Sequence, residues 1–344
     1  MFSDIFGVDV HRCRETGNVY CSQADYLRQL SPITIDRPRG SGRTLESKIT
    51  PEETTLYRSL VSAIAWLGVT FPPALACASL YQGFLPTPTI AQVNMLNACL
   101  LQFKELYTPL TFQAGLTNQW LIAIADSSLG NVSKYSQGGF VVLLFSQNSD
   151  YVCGRCSILS FRSSKSKRVA ASTFHAETLA LVAAIEETAL IQTFLYEIRH
   201  PEATAIEMLN VPPSELIQVI GLTDCHDVLD TLCKSTMPVL SNTALTLYTS
   251  VLREFKSSGQ VSQWGWLDTR DNLANCLTKI ESNGTLDISP LIKLLRHGAW
   301  EPVFPYRWGL QLCDPSPLTS AEIKFPEFQP ASKDKKTTVG ELPA

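Results

Sequence analysis

Residues 120–125, Trp-Leu-Ile-Ala-Ile-Ala, run without a polar interruption into Asp126. Such a run suits a strand buried on both faces, because a strand with one wet face alternates polar with apolar residues. A sheet covered on both sides needs helices above and below it, and this restricts the chain to a layered α/β architecture. The following segments fit that plan. Gly138-Gly-Phe-Val-Val-Leu-Leu-Phe145 reads as a second strand and Cys156-Ser-Ile-Leu-Ser-Phe161 as a third, with short connections that predict an antiparallel meander. A long helix is expected from about Ser172 to Ile198. Thr178 to Ile185 is apolar nearly all round, and Leu190, Ile191, Phe194, Leu195 and Ile198 recur at helical spacing, so the helix should lie against the sheet with little solvent face.

Ile217-Gln-Val-Ile-Gly-Leu-Thr-Asp224 reads as a fourth strand, followed by a short helix from about Cys225. Asn242 to Lys256 is a helix stopped by Gly259, Val261 to Leu267 a fifth strand, and Asp271 to Ile280 a last helix. The expected fold is therefore a three-layer α/β domain. Its five-stranded mixed sheet has three antiparallel strands, then two parallel ones, with helices on both faces. Ser289-Pro290 opens a small helix ending at His297-Gly298, and the Pro- and Lys-rich tail from 314 to 344 has a disordered composition.

Upstream, Ile5 to Val10 reads as a strand, Glu15-Thr-Gly17 as a turn before a second strand, and 32–50 as a linker containing Arg37-Pro-Arg-Gly-Ser-Gly-Arg43. Pro51-Glu52-Glu53 opens a helix that continues through Tyr57 to Gly68, and a second helix covers Ile90 to Tyr107. Between Arg58 and Lys104 there is no charged residue. Its most apolar part, Leu60 to Phe71, stops at Pro72-Pro73, short of the roughly 20 residues a bilayer span requires. Buried helices are expected there, and no membrane partner.

The net charge is −4, from 28 Lys+Arg against 32 Asp+Glu. No global positive field exists to hold a phosphate backbone, so a nucleic-acid role must rest on a local patch. The ten cysteines are scattered and no signal peptide follows Met1, from which reduced thiols and an intracellular location, cytoplasmic or nuclear, are expected.

Four polar residues sit where such a fold gathers its ends: Asp126 after the first apolar run, Glu177 early in the long helix, Asp224 at the end of the fourth strand, and Asn275 on the final helix. A right-handed crossover through the long helix places the fourth strand parallel beside the first, making Asp126 and Asp224 neighbours where strand order reverses, the usual ligand site of open α/β sheets. Hard oxygen ligands converging there suit magnesium or manganese. Two such ions about 3.5–4 Å apart can support in-line displacement at phosphorus. On spacing alone, acids at strand ends are more often helix caps or solvated edge charges.

Local sequence adds to the spacing. Asp126-Ser-Ser-Leu-Gly, Ser136-Gln-Gly-Gly-Phe-Val-Val-Leu-Leu, Ser160-Phe-Arg-Ser-Ser-Lys, Val169-Ala-Ala-Ser-Thr-Phe-His-Ala-Glu177, Leu222-Thr-Asp224 and Asp271-Asn-Leu-Ala-Asn-Cys-Leu-Thr-Lys279 occur in order. The series resembles the ribonuclease H domain of copia-type retrotransposon polyproteins. Tyr57-Arg-Ser-Leu-Val-Ser-Ala-Ile-Ala-Trp-Leu67 is similar to the helix after the reverse-transcriptase palm of the same elements, and Phe6-Gly-Val-Asp-Val10 with Tyr20-Cys-Ser-Gln-Ala-Asp-Tyr26 to the end of that palm. The resemblance spans roughly residues 5–282. It implies segments 1–31 (palm remnant), 32–50 (linker), 51–113 (thumb- or connection-like helices), 114–282 (RNase H-like domain), 283–313 (helical extension) and 314–344 (tail).

The resemblance also implies cleavage of the RNA strand of an RNA–DNA hybrid with two magnesium ions and no small-molecule cofactor. The reverse-transcriptase domain of the same element would be a partner. Asp126, Glu177 and Asp224 match three acidic positions of the family motif, while Asn275 stands where the family has Asp. Asn keeps a carbonyl oxygen but brings no negative charge. Ser128 and Cys225 also depart from the family's Asp and Asn. No Tyr-x-Asp-Asp occurs in the sequence, so reverse-transcriptase activity is not expected. Two alternatives stand beside the nuclease: an inactive module that binds hybrid duplex, and an α/β interaction domain whose acids are structural.

Arg162, Lys165, Lys167 and Arg168 form the clearest basic cluster, suited to phosphate contacts, though most charge runs are solvated loops. Trp264 and Trp266 favour core packing over base stacking. Cys153-Gly-Arg-Cys156 has zinc-ribbon spacing but no second pair. His175 reads as a partly buried helix residue, and His226 as a minor candidate for proton transfer. The sequons at Asn131 and Asn283 read as chance matches.

Overall fold

Leu121, Ala123 and Ala125 enter one apolar core while Ile122 and Ile124 enter another, so the 120–125 run is buried on both faces. A computed structural model of the chain describes residues 2–37, 42–130, 136–146, 154–236, 240, 242–309 and 311–313. Cys153, Asn131 and the 314–344 tail lie outside these.

The central strands are β5 (Gln119–Ser128), β6 (Gln137–Ser146), β7 (Gly154–Lys165), β8 (Gln218–Thr223) and β9 (Gln263–Trp266). They are ordered β7-β6-β5-β8-β9. The first three form an antiparallel meander, β8 pairs parallel with β5, and β9 pairs parallel with β8. With helices on both faces this is the RNase H-like fold. Three short strands extend the sheet to eight: β10 (Ala299–Trp300) joins β7, while β11 (Tyr306–Trp308) and β12 (Gln311–Cys313) continue beyond β9. At two or three residues each, they carry too little alternation to read in sequence.

One face is covered by α5 (Thr173–Arg199), α7 (His226–Cys233) and α8 (Thr243–Ser257), which bury Leu181, Ile185, Leu229 and Leu252 against Leu121, Ala123 and Val142. Ser172 starts α5 by accepting from His175 N, which satisfies one of the orphan amides of the first turn. A short helix, α6 (Ala205–Leu209), follows α5.

The other face is covered by upstream helices. After the strands β1 (Phe2–Ile5), β2 (Val8–Arg12) and β3 (Val19–Ser22) come α1 (Ala24–Gln29), α2 (Pro51–Leu67), α3 (Pro72–Gln82), α4 (Ile90–Leu106) and β4 (Leu110–Phe112). Ile64, Leu80, Leu96 and Phe103 share one core with Ile122, Ile124, Val141 and Leu143, and α9 (Ser289–His297) adds Leu291 and Leu295. The charge-poor stretch is thus buried against the sheet. Capping boxes start α2 at Thr50/Glu53 and α4 at Thr89/Gln92.

Four expectations need correction. Ile5 to Val10 is not one strand but the turn of a hairpin, with Phe6 and Gly7 both at positive φ (53° and 78°); a bulky residue at the first turn position hides the type I′ signal. A third helix, α3, begins at Pro72-Pro73, because proline in the first helical turn starts a helix as readily as it ends one. Asp271 to Ile280 is not an α-helix: it holds two 3₁₀ turns, Thr269–Asp271 and Asn275–Leu277. Finally, the C-terminal half of α5 has a solvent face, with Leu190, Phe194 and Ile198 at 69%, 59% and 59% exposure. Ile191 and Leu195, on the adjacent stripe, are the ones that pack on the core. Among the described residues α5 alone is long and apolar enough to cross a membrane, with 44% of its most apolar window buried inside the protein.

Candidate metal centre

Parallel pairing of Ile124 with Leu222 sets Asp126, two residues further along β5, beside Asp224, which follows the last residue of β8. Glu177 enters from the second turn of α5. One carboxylate oxygen from each of the three lies within 4.8 Å of the others. Asp126 and Glu177 are buried and Asp224 half-buried. They line an open cleft of about 720 Å³ with Ser127, Thr173, Cys225 and Lys279.

Burial, and then the Asp224 carboxylate, push Asp126 up to about 6. Burial, followed by Asp126 and Asp224, pushes Glu177 up to about 9. Glu177 Oε2 is buried and makes no hydrogen bond among the described residues. Converging carboxylates, one with an unpartnered buried oxygen, are what a hard divalent cation relieves. The residues therefore fit magnesium or manganese, with Asp126, Glu177 and Asp224 as ligands.

Asp224 is held by its neighbours. Thr269 Oγ1 donates to Asp224 Oδ2 at 2.8 Å, and Trp266 Nε1 donates to the Asp224 carbonyl at 2.8 Å. Asp126 is held from the segment after β9: Thr278 Oγ1 donates to Oδ2, and Lys279 Nζ lies 3.5 Å from Oδ1. Asn275 is half-buried and does not line the cleft. Its Oδ1 accepts from Lys279 Nζ at 2.5 Å, so it meets Asp126 through the lysine. In sequence, Thr278 and Lys279 are marked only by lying in the Asp271–Lys279 motif, which points to Asn275.

The basic residues are all exposed, Arg162 and Lys165 on β7 and Lys167 and Arg168 in the loop before α5. The Arg168 guanidinium lies over the Tyr248 ring of α8, 4.8 Å from its centroid. Lys165 lines a second groove of about 670 Å³ with Arg58, Gln82 and Gln137. Trp264 is buried in the core. His175 is buried, and burial with the Arg168 charge holds it below the ordinary histidine range. His226 stacks on Trp266 with centroids 4.1 Å apart, its Nδ1 lies 3.1 Å from Arg307 Nη1, and it does not line the cleft. Cys156 is a buried thiol whose pKa burial raises to about 12.

No protein-family model and no curated protein sequence matches this chain. Solved structures of RNase H domains do. The chain is 18% identical to RNase H1 of the halophilic archaeon Halobacterium salinarum, with 46% of this chain and 93% of that one covered and a TM-score of 0.30. For the N-terminal RNase H domain of a Mycobacterium tuberculosis protein the values are 13%, 46%, 91% and 0.28. For LC11-RNase H1 in complex with an RNA/DNA hybrid they are 13%, 49%, 98% and 0.29.

Proposed function

We propose that this chain is an RNase H-type nuclease that hydrolyses the RNA strand of RNA–DNA hybrids, derived from a copia-type retroelement. The observation that carries the reading is the convergence of Asp126, Glu177 and Asp224 at the switch point of the sheet. Asp126, Glu177 and Asp224 hold the cation, with Asp224 oriented by Thr269 and Trp266. Magnesium or manganese held there would activate water for in-line attack at phosphorus and stabilise the departing oxygen. Arg162, Lys165, Lys167 and Arg168 offer phosphate contacts on the strand and loop leading into α5, which position a duplex without reading its sequence. The solved LC11-RNase H1 complex holds an RNA/DNA hybrid, the substrate class assigned here. A labelled hybrid should be cut in magnesium by the full chain and not by Asp126→Asn. Uncut hybrid with both proteins would overturn the reading.

The neutral Asn275 and its bond to Lys279 favour a second reading, in which the element has decayed to a module that binds hybrid without cutting it. Retention of hybrid on the wild-type chain with no magnesium-dependent product identifies this case.

A further inference from the structure

Among the described residues the acidic centre carries one cationic neighbour. On the side of Asn275, Lys279 Nζ sits 2.5 Å from Asn275 Oδ1 and 3.5 Å from Asp126 Oδ1. Asp126 Oδ2 already accepts from Thr278. One Glu177 carboxylate oxygen lies within 4.8 Å of oxygens of Asp126 and Asp224, and Glu177 Oε2 is buried and makes no hydrogen bond among the described residues. A carboxylate at 275 would repel Asp126, and a second cation between them would relieve that repulsion; the neutral amide removes one charge, and the ammonium meets the other. Three carboxylates with one ammonium leave two negative charges when all are ionised, which a single divalent ion neutralises.

We infer that this centre takes one divalent cation, on the Asp126/Glu177/Asp224 side, and that Lys279 is a tethered cation filling the position where a second ion would sit against Asp126 and residue 275. The inference rests on the metal-dependent nuclease reading, and it replaces the two ions implied by the sequence resemblance with one ion and one lysine. Lys279 is a positioning residue: its side chain is 38% exposed, so it reaches the centre from the cleft rim and can be changed without opening the core. Replacing it with an apolar side chain frees Asp126 Oδ1 and Asn275 Oδ1 together, and adding a carboxylate at 275 rebuilds an anionic pocket on that side.

The test counts manganese by electron paramagnetic resonance of the full chain, without substrate. Wild type and Lys279→Arg are expected to bind one ion, Asn275→Asp with Lys279→Met two, and Glu177→Gln none in the same range. Thermal melts of each variant in EDTA confirm folding. Two ions in the wild type, or one ion in the double variant, would overturn the lysine assignment while leaving the metal centre standing. No ion in the wild type overturns both the assignment and the nuclease reading beneath it.

Discussion

Asp126 faces Gly139 across the antiparallel pair of β5 and β6. A Cβ at Gly139 would lie 2.8 Å from Leu277 Cβ and 3.0 Å from Thr278 Cγ2. The bare backbone at 139 therefore lets the 275–278 turn close onto β6 and bring Thr278 to Asp126. Gly139→Ala should push that turn outward, costing about 1–3 kcal/mol as overpacking does. Urea denaturation reads the loss. The same variant should weaken manganese binding, because Asp126 loses its hydroxyl donor; unchanged stability and binding would show that the turn has slack to spare.

Glu177 and Asp126 make the metal-free protein pH-sensitive. Glu177 is held at about 9 and Asp126 at about 6, both above their ordinary values. Raised folded-state values mean that the native state binds protons more tightly than the unfolded chain. Their stabilising contribution is full below pH 4, and falls as pH rises towards 6 for Asp126 and 9 for Glu177. In EDTA, unfolding free energy should drop by a few kcal/mol between pH 4.5 and 9. Glu177→Gln should flatten most of that slope, and divalent cation should offset it. A slope that survives in Glu177→Gln would place the titration elsewhere.

How much of this was readable in the sequence depends on what each segment buries. The strands of the meander declare themselves because a strand covered on both faces has no choice but an apolar run, and Asp126 stands out by ending one. Glu177 and Asp224 follow from the same topology, since the α5 crossover fixes the β5–β8 pair. The 271–280 segment reads as an α-helix because Leu273, Ala274, Cys276 and Leu277 are buried at spacings an α-helix would also give, whereas the Asn275–Leu277 turn packs between α3 and the β5–β6 pair. Leu190 and Phe194 mislead for a related reason: periodicity marks an apolar stripe, and only tertiary packing decides whether anything covers it.

The upstream helices are tied to the turn before α9 by a bond that spans much of the chain. Tyr81 Oη on α3 donates to the Gly284 carbonyl at 2.7 Å, and the Cys99 thiol lies 3.0 Å from the same oxygen. Both side chains are fully buried. Tyr81→Phe should cost about 1–2 kcal/mol, the range for removing one partner of a buried hydrogen bond. Deleting residues 1–113 removes the cover over Ile122, Ile124, Val141 and Leu143. The shortened chain should aggregate, as a large exposed apolar face does, and light scattering at rising concentration checks this. A monodisperse, cooperatively folding 114–344 fragment would show that the sheet needs no such cover.

The exposed cations before α5 make a separate prediction, because their effect passes through phosphate charge. Lys165 and Arg168 differ in their surroundings: Lys165 lines the second groove with Arg58, and Arg168 rests over Tyr248. If each meets a phosphate, Lys165→Ala and Arg168→Ala should each lower the slope of log affinity for hybrid against log salt by about 1. Affinity should fall for every sequence alike, since backbone contacts carry no base information. Arg168→Lys should keep the charge and lose part of the stacking on the ring, which depends on the planar guanidinium. It should therefore retain the wild-type salt slope at a somewhat lower affinity. Equal slopes in wild type and both alanine variants would remove these residues from the hybrid interface and leave Arg168 as a cap on α8.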